Sequence, residues 1–326
     1  MEQLKTIDQR NVVNTFGKSK KLDWFTAENL ERGLMGDILE IQKFSGRELR
    51  ATLQSIFAGI QYEYRDEYKN TKNLFTDLHT FQDCFMRRFG NIKYFVREYG
   101  FPKTIPQRAF IFLSQLNELV KKDMKSIRLV EFGAAAGLLG SIFEYPEHYL
   151  QKFSRDLFWV NESKIPQTPH FEINYEGYDL HIIKTSLVPY FIWNDDHRER
   201  VENFITLARR PRHLKEEDLF KVLAREINSN ELLDGVFFMT SFMLYQLSLE
   251  QKQEFLRLMQ KCQARGATWL DLSRHHHDIP WLKSFSPGLV YNHNYFSVNG
   301  IPQKEIIEGS DDCKNWKDLD LSVGNY

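Results

Sequence analysis

The chain has 326 residues, of which 42% are hydrophobic, 27% charged and 14% aromatic, and its 43 Lys and Arg nearly balance 44 Asp and Glu to a formal charge of -1. This composition describes a soluble globular protein with ample apolar area to bury, and it excludes extended disorder. Near-neutral charge removes the usual electrostatic reason to expect nucleic acid or an acidic membrane surface as a partner. At roughly 100–200 residues per domain, the length suits one large domain or two smaller ones.

Cys84, Cys262 and Cys313 are odd in number and far apart, with no C-x-x-C pair. Neither a disulfide framework nor a thiolate zinc site follows from them, and a reducing compartment is the expected setting. The start Met1-Glu2-Gln3-Leu4-Lys5 lacks the apolar stretch of a secretory signal, and no run of about 18 apolar residues is present. A cytoplasmic location and no membrane partner are therefore expected.

The first hundred residues read as helices. After Thr26, apolar residues recur at Leu30, Leu34, Ile38 and Ile41, and a second segment carries Leu49, Leu53, Ile56, Phe57 and Ile60. A third has Leu74, Leu78, Phe81, Phe85 and Phe89, and Tyr94, Phe95 and Tyr99 continue the pattern up to Gly100-Phe101-Pro102. Stripes of this kind build cores. The Gly-Phe-Pro stretch punctuates the chain, so residues 1–102 are expected to form a helical N-terminal cap domain and residues 103–326 an α/β domain.

Beyond that boundary the period changes. A helix over Gln107 to Lys121 precedes the apolar strand Ile127 to Phe132, which runs into Gly133-Ala134-Ala135-Ala136-Gly137 and a helical stretch from Leu138. Strand, glycine-rich turn and helix in that order suggest a nucleotide-binding α/β sheet. Further strands are expected at Phe171 to Leu180, Asp234 to Thr240 and Ala267 to Leu272, with helices over Arg198 to Arg209 and Leu219 to Ile227. Ser248-Leu249-Glu250-Gln251 reads as a capping box opening a helix that ends at Gly266. Asn299-Gly300 between two strand-like runs signals a hairpin, because both turn positions need φ > 0.

The chemistry centres on the glycine turn. Glu131, Gly133, Ala135 and Gly137 form an acidic-x-Gly-x-small-x-Gly pattern at a strand end. Small residues there let a ligand approach the backbone, and the acidic side chain suits a cationic or hydroxyl-bearing ligand better than a pyrophosphate. The dinucleotide spacing G-x-G-x-x-G is absent, since the glycines fall at Gly133, Gly137 and Gly140. S-adenosylmethionine is thus favoured over NAD as the cofactor. Tight helix-on-strand packing is the alternative use of the same small residues.

A second acidic residue at the next strand end would hold ribose hydroxyls, and Asp179 is the choice, with Glu176 in reserve. Residues 143–170 would then be an insertion. Asp218 is placed at the end of the third strand, facing an adenine, with a solvated acidic helix start as the alternative. Thr240 and Ser241 end the strongest strand, where open α/β sheets bind ligands, and either could instead cap a helix. In His275-His276-His277-Asp278 the alternate histidines could face one point, but no second ligand cluster supports a metal, and none is expected. One histidine as a general base is the better use. No P-loop, nucleophile elbow or H-E-x-x-H helix is present.

The chain resembles a bacterial family catalogued as domain of unknown function 2332. The resemblance rests on Thr104-Ile105-Pro106-Gln107, on Val130 to Leu138, on Phe191 to His197 with Arg198 and Arg200 after it, and on Phe237 to Ser241 through Leu247-Ser248 and Gln251. Ala135 stands where the family has Ser, and Asn194 where it has Pro. The resemblance covers the chain from about residue 70 onwards, and it implies a class I methyltransferase-like α/β sandwich. Together these readings predict a Rossmann-like seven-stranded sheet with a C-terminal antiparallel hairpin and an N-terminal helical cap. The expected function is S-adenosylmethionine-dependent methyl transfer to a small-molecule or protein acceptor. A non-catalytic binding or interaction module on the same fold is the alternative.

Overall fold

The computed structural model describes residues 7–67, 71–99, 105–152, 165–192, 195–229, 231–274, 294–306 and 316–318. The Gly100-Phe101-Pro102 boundary, Trp193-Asn194, the run His275 to Asp278, Ser310 to Asp312 and Cys313 lie outside these residues, as do residues 153–164 of the expected insertion. The chain divides into two compact units. The first is Met1–Lys103 with Ile183–Glu199, and the second is Thr104–Ile182 with Arg200–Tyr326. The excursion of residues 183–199 into the helical unit is a feature that a single cut after residue 102 does not contain.

The helical unit holds α1 (Ile7–Ser19), α2 (Ala27–Glu31), α3 (Met35–Ser45), α4 (Leu49–Glu63), α5 (Leu78–Arg87) and α6 (Phe89–Tyr99). Thr26 caps α2 by accepting from the Asn29 amide, and α3 ends at Gly46 in the left-handed region. The expected continuous helix from Thr26 to Ile41 is therefore two helices, broken around Gly33. Helix α4 is buried around most of its circumference, and the Thr52 and Ser55 hydroxyls donate back to the carbonyls of Glu48 and Ala51. Phe57 stacks on Phe75 at 4.7 Å and meets Phe16 edge-on at 5.1 Å, so the phenylalanine excess is spent on this core.

The second unit is an α/β sandwich. Helix α7 (Arg108–Leu119) leads into β1 (Ser126–Phe132), α8 (Leu138–Glu144), α9 (Pro146–Lys152) and β2 (Glu172–Asp179). Helix α10 (Asp195–Leu207) begins in the first unit's segment, and β3 (Leu214–Glu216), α11 (Leu219–Asn228), β4 (Val236–Ser241), α12 (Leu249–Gln263) and β5 (Thr268–Arg274) follow. The sheet closes with β6 (Asn294–Val298), β7 (Ile301–Ile306) and β8 (Trp316–Asp318). Strand order is β3-β2-β1-β4-β5-β6-β7-β8, parallel through β5 and antiparallel beyond it.

This mostly parallel sheet with an antiparallel end is consistent with the methyltransferase-like expectation, but the number of strands is corrected. Eight strands, not seven, pair among the described residues, because Trp316–Asp318 extends the sheet beyond the hairpin. A three-residue strand carries no side-chain period to read, and for the same reason the third strand, expected to end at Asp218, has no bounds in the sequence and spans Leu214–Glu216. The hairpin itself forms at Asn299-Gly300, with φ of 52° and 80°. The capping box at Ser248 and Gln251 forms in both directions.

Side-chain alternation assigns the two faces. Val130, Phe132, Tyr178, Phe238 and Trp269 pack with Val222, Leu223 and Phe255 of α11 and α12. On the other face Phe143 of α8 stacks over Tyr175, and Phe112 of α7 meets Phe296 edge-on. Because β1 lies between β2 and β4 and the chain order reverses there, the carboxyl end of β1 is the topological switch point.

Candidate functional site at the carboxyl end of β1

The turn after β1 is held by its own backbone. Gly133, Ala135 and Gly137 all adopt left-handed φ, at 77°, 51° and 72°. Ala135 is the costly one, because a Cβ in that region clashes with the following carbonyl by about 1 kcal/mol or more. Its amide donates to Asp179 Oδ2 at 2.9 Å, which ties the strained residue to the end of β2. The Gly133 and Ala134 amides donate to the Tyr178 carbonyl, and the Gly137 amide to that of Ala134. The amides of Gly133, Ala134, Ala135 and Gly137 are thus taken up within the chain, three of them by the end of β2.

Glu131 lies beneath the turn, paired in register with Gly177 of β2 and Met239 of β4. It is only 2% exposed. The Tyr175 hydroxyl donates to Glu131 Oε2 at 2.6 Å. Burial pushes the Glu131 carboxyl up to about 8; the Tyr175 donor and the Arg108 charge pull against this, and the neighbouring Asp179 charge adds to it. Burial raises Asp179 as well, against the pull of the Ala135 and His181 amides. Two carboxyl groups that both resist ionisation thus converge on one turn. A cation there would favour the ionised form of both.

Three residues that sequence reasoning missed complete the surroundings. Tyr175 is fully buried, and burial first, then the Glu131 charge, raises its phenol well above the usual range. Arg108, at the first turn of α7 and 3% exposed, lies with its guanidinium 4.2 Å from the Phe242 ring centroid. Phe242 follows β4 directly and is itself left-handed, at φ 52°. Glycines within regular elements were the available signal, because a strand or helix glycine often marks a close neighbour. A Cβ at Gly140 would sit 2.2 Å from the Tyr175 ring, and one at Gly177 would sit 2.5 Å from its hydroxyl.

The remaining expected residues fall elsewhere. Asp218 is the N-cap of α11, accepting from the Phe220 amide at 2.7 Å. Strand β3 ends two residues earlier, at Glu216, so Asp218 occupies a helix start rather than a strand end. Thr240 pairs in register with Phe132, hence on the α11–α12 face, where it donates to Asp271 Oδ1 at 2.5 Å and accepts from Trp269 Nε1 at 2.9 Å. It is not brought together with Glu131. Ser241 ends β4 with its Oγ buried and, among the described residues, without a hydrogen-bond partner. Glu176 is taken by Arg128 on the α11 side and is removed as a ribose ligand.

The turn's hollows are occupied by the chain's own side chains. A Cβ at Gly133 would lie 2.8 Å from Met243 Cγ, and one at Gly137 would lie 2.5 Å from Leu214 Cδ1. Among the described residues no group of three His, Cys, Asp or Glu is placed to hold a metal ion. Nor, among them, is any helix long and apolar enough to cross a membrane.

No protein-family model and no curated protein matches the chain, so the family resemblance drawn from its motifs is not confirmed. Among solved structures the chain is similar to a Listeria monocytogenes protein described as a candidate class I S-adenosylmethionine-dependent methyltransferase. The two share 8% identity at a TM-score of 0.31, over 82% of this chain and 79% of that one. It is also similar to DrdV in complex with DNA, at 12% identity and a TM-score of 0.25, over 83% of this chain and 33% of that one.

Proposed function

We propose that the carboxyl end of β1 and β2 binds S-adenosylmethionine and that the protein is a methyltransferase acting on a small-molecule or protein acceptor. The observation that carries this reading is the convergence of Glu131 and Asp179 on a glycine turn whose own amides are already hydrogen-bonded. That donor set fits an ammonium and ribose hydroxyls, and it suits a dinucleotide pyrophosphate poorly. Glu131 would take the ammonium and Asp179 the ribose, while close approach to the backbone at Gly133, Ala135 and Gly137 would require Met243 and Leu214 to move aside. Ser241 Oγ at the end of β4, unpartnered among the described residues, is a further polar group for a ligand in the β1–β4 crevice.

When bound, S-adenosylmethionine supplies an already activated methyl group, so this chain's part is to orient an acceptor and exclude water. The balanced charge of -1 favours a small molecule or a protein over a polyanion as that acceptor. The reading is tested by thermal shift with S-adenosylmethionine and S-adenosylhomocysteine. A ligand at one hundred times its Kd adds about 2.7 kcal/mol of stability, which a melt resolves. The expected result is a clear upward shift in the wild type that is lost in Glu131→Ala. No shift at millimolar ligand, with Glu131→Ala behaving like wild type, overturns it.

A second reading is a binding module without catalysis on the same fold. The observation behind it is the packing of Met243 and Leu214 into the hollows of Gly133 and Gly137. Absence of a shift with either nucleoside would favour it.

A further inference from the structure

The space around Tyr175 is made by two glycines in different elements. Gly140 lies in α8 and Gly177 in β2, two positions along the strand from Tyr175 itself. Any side chain at either position would overlap the phenol, with Cβ contacts of 2.2 Å and 2.5 Å. Both elements therefore give up a side chain where the Tyr175 ring passes towards Glu131 and delivers its hydroxyl at 2.6 Å. The ring is held above as well, by stacking on Phe143 at 6.1 Å. A phenol admitted so narrowly has little freedom of position, and its hydroxyl is aimed at one carboxyl oxygen.

We propose that Tyr175 is the positioning residue of the cation subsite: it fixes the Glu131 carboxyl through Oε2, in the space left by Gly140 and Gly177, and presents Oε1 to the ammonium of the bound amino-acid nucleoside. Among the described residues Oε1 accepts no hydrogen bond. This inference rests on the S-adenosylmethionine reading above. Tyr175 does not touch the ligand; it acts through Glu131.

The charged and titratable groups that face Glu131 are Tyr175 and Asp179 from β2 and Arg108 from α7, and Glu144 of α8 acts on Tyr175. Paired with Glu131 in register on β4 is the uncharged Met239. Because burial keeps the Glu131 carboxyl protonated at neutral pH, an ammonium bound there releases that proton to solvent. Affinity for an amine-bearing ligand therefore rises with pH. The Tyr175 hydrogen bond favours the ionised carboxylate and lowers the pH at which the rise occurs.

The test is isothermal titration of the full chain with two probes, S-adenosylhomocysteine and 5′-methylthioadenosine, which share the nucleoside while the second lacks the amino-acid group. Tyr175→Phe keeps the ring and deletes the hydroxyl. Expected is a roughly 10-fold or greater loss of affinity for S-adenosylhomocysteine, as for a hydrogen bond to a charged group. Affinity for 5′-methylthioadenosine should change less than about twofold, and this arm also shows that the variant is folded. The pH at which S-adenosylhomocysteine binding half-rises should move upward relative to wild type; the ligand's own titration is common to both proteins and cancels. Should Tyr175→Phe misfold, Glu131→Gln supplies the second variant. Its amide accepts the same hydrogen bond but cannot ionise, so its binding should lose the rise with pH.

Equal affinity and an unmoved pH profile for Tyr175→Phe overturn the positioning role while leaving the cofactor reading standing. A Glu131→Gln protein whose binding keeps the wild-type rise with pH also overturns it. A wild type that binds neither probe overturns the cofactor reading, and the inference falls with it.

Discussion

Glu131 shows how a single buried acid sets the pH behaviour of this protein. Its carboxyl is held up to about 8 in the folded chain, against an ordinary value of 4.5. Between these values the native state holds a proton that the unfolded state has lost. Stability attributable to this residue is therefore full below about pH 4.5, falls as pH rises, and is gone above about pH 8. Glu131→Gln mimics the protonated form at every pH. Thermal melts should give wild type and variant similar Tm values near pH 5. By pH 8 the variant should melt higher, by about 2–4 °C for each kcal/mol recovered. A variant that melts lower than wild type throughout would show that the carboxyl is ionised and satisfied. The sequence placed Glu131 at a strand end, but it did not reveal the neutral state, which burial sets first and the Asp179 charge, 48 positions away, reinforces, against the pull of Tyr175 and Arg108.

Elements with strong local signals were legible. The capping box at Ser248, the Asn299-Gly300 hairpin and the long strands of the parallel core all stand where their residues place them. Strand β8 and the bounds of β3, three residues each, were not, because pairing by backbone alone leaves no pattern in the side chains. Helix α8 is the element on which the site most depends. It runs seven residues, and Gly140 lets it close down on Tyr175 of β2. Gly140→Ala would drive a methyl group into that ring at 2.2 Å. A urea titration should show a loss of about 1–3 kcal/mol, as expected for overpacking a buried contact. An unchanged midpoint would mean that Tyr175 has room to move, and its narrow seat would lose its support.

At the scale of the molecule, one charge network ties the sheet to its covering helix. Arg128 of β1 donates to Glu176 of β2 at 2.7 Å and makes a two-pronged contact with Glu226 of α11, both bonds at 2.8 Å. Burial works against ionising Glu176, yet the Arg128 and Tyr178 donors hold it down to about 2. Its stabilising share is thus present above about pH 4.5 and lost as pH falls towards 2, the opposite sense to Glu131. Arg128→Met keeps much of the apolar stem but leaves Glu226, 6% exposed, facing no guanidinium. Chemical unfolding should reveal a loss of about 3 kcal/mol, near the lower end for breaking a buried pair because Arg128 retains some exposure. The acid-side slope in stability should flatten in the same variant. No change in either quantity would reduce the network to a surface decoration.

Local sequence determined the helices, the glycine turn, the hairpin and the change of period that separates the helical stretch from the α/β stretch. Those properties are written in residues within one or two turns of each other, where spacing and capping act directly. Tertiary structure alone decided that residues 183–199 belong with the helical unit, that Asp218 caps a helix and that Thr240 faces Asp271 rather than Glu131. It also decided which acid remains neutral and which is paired. Glu131 and Glu176 are both strand glutamates in β1 and β2, yet one meets a phenol in an apolar seat and the other an arginine. Strand register and burial set those partners across 44 and 48 residues of chain, and both are properties of packing.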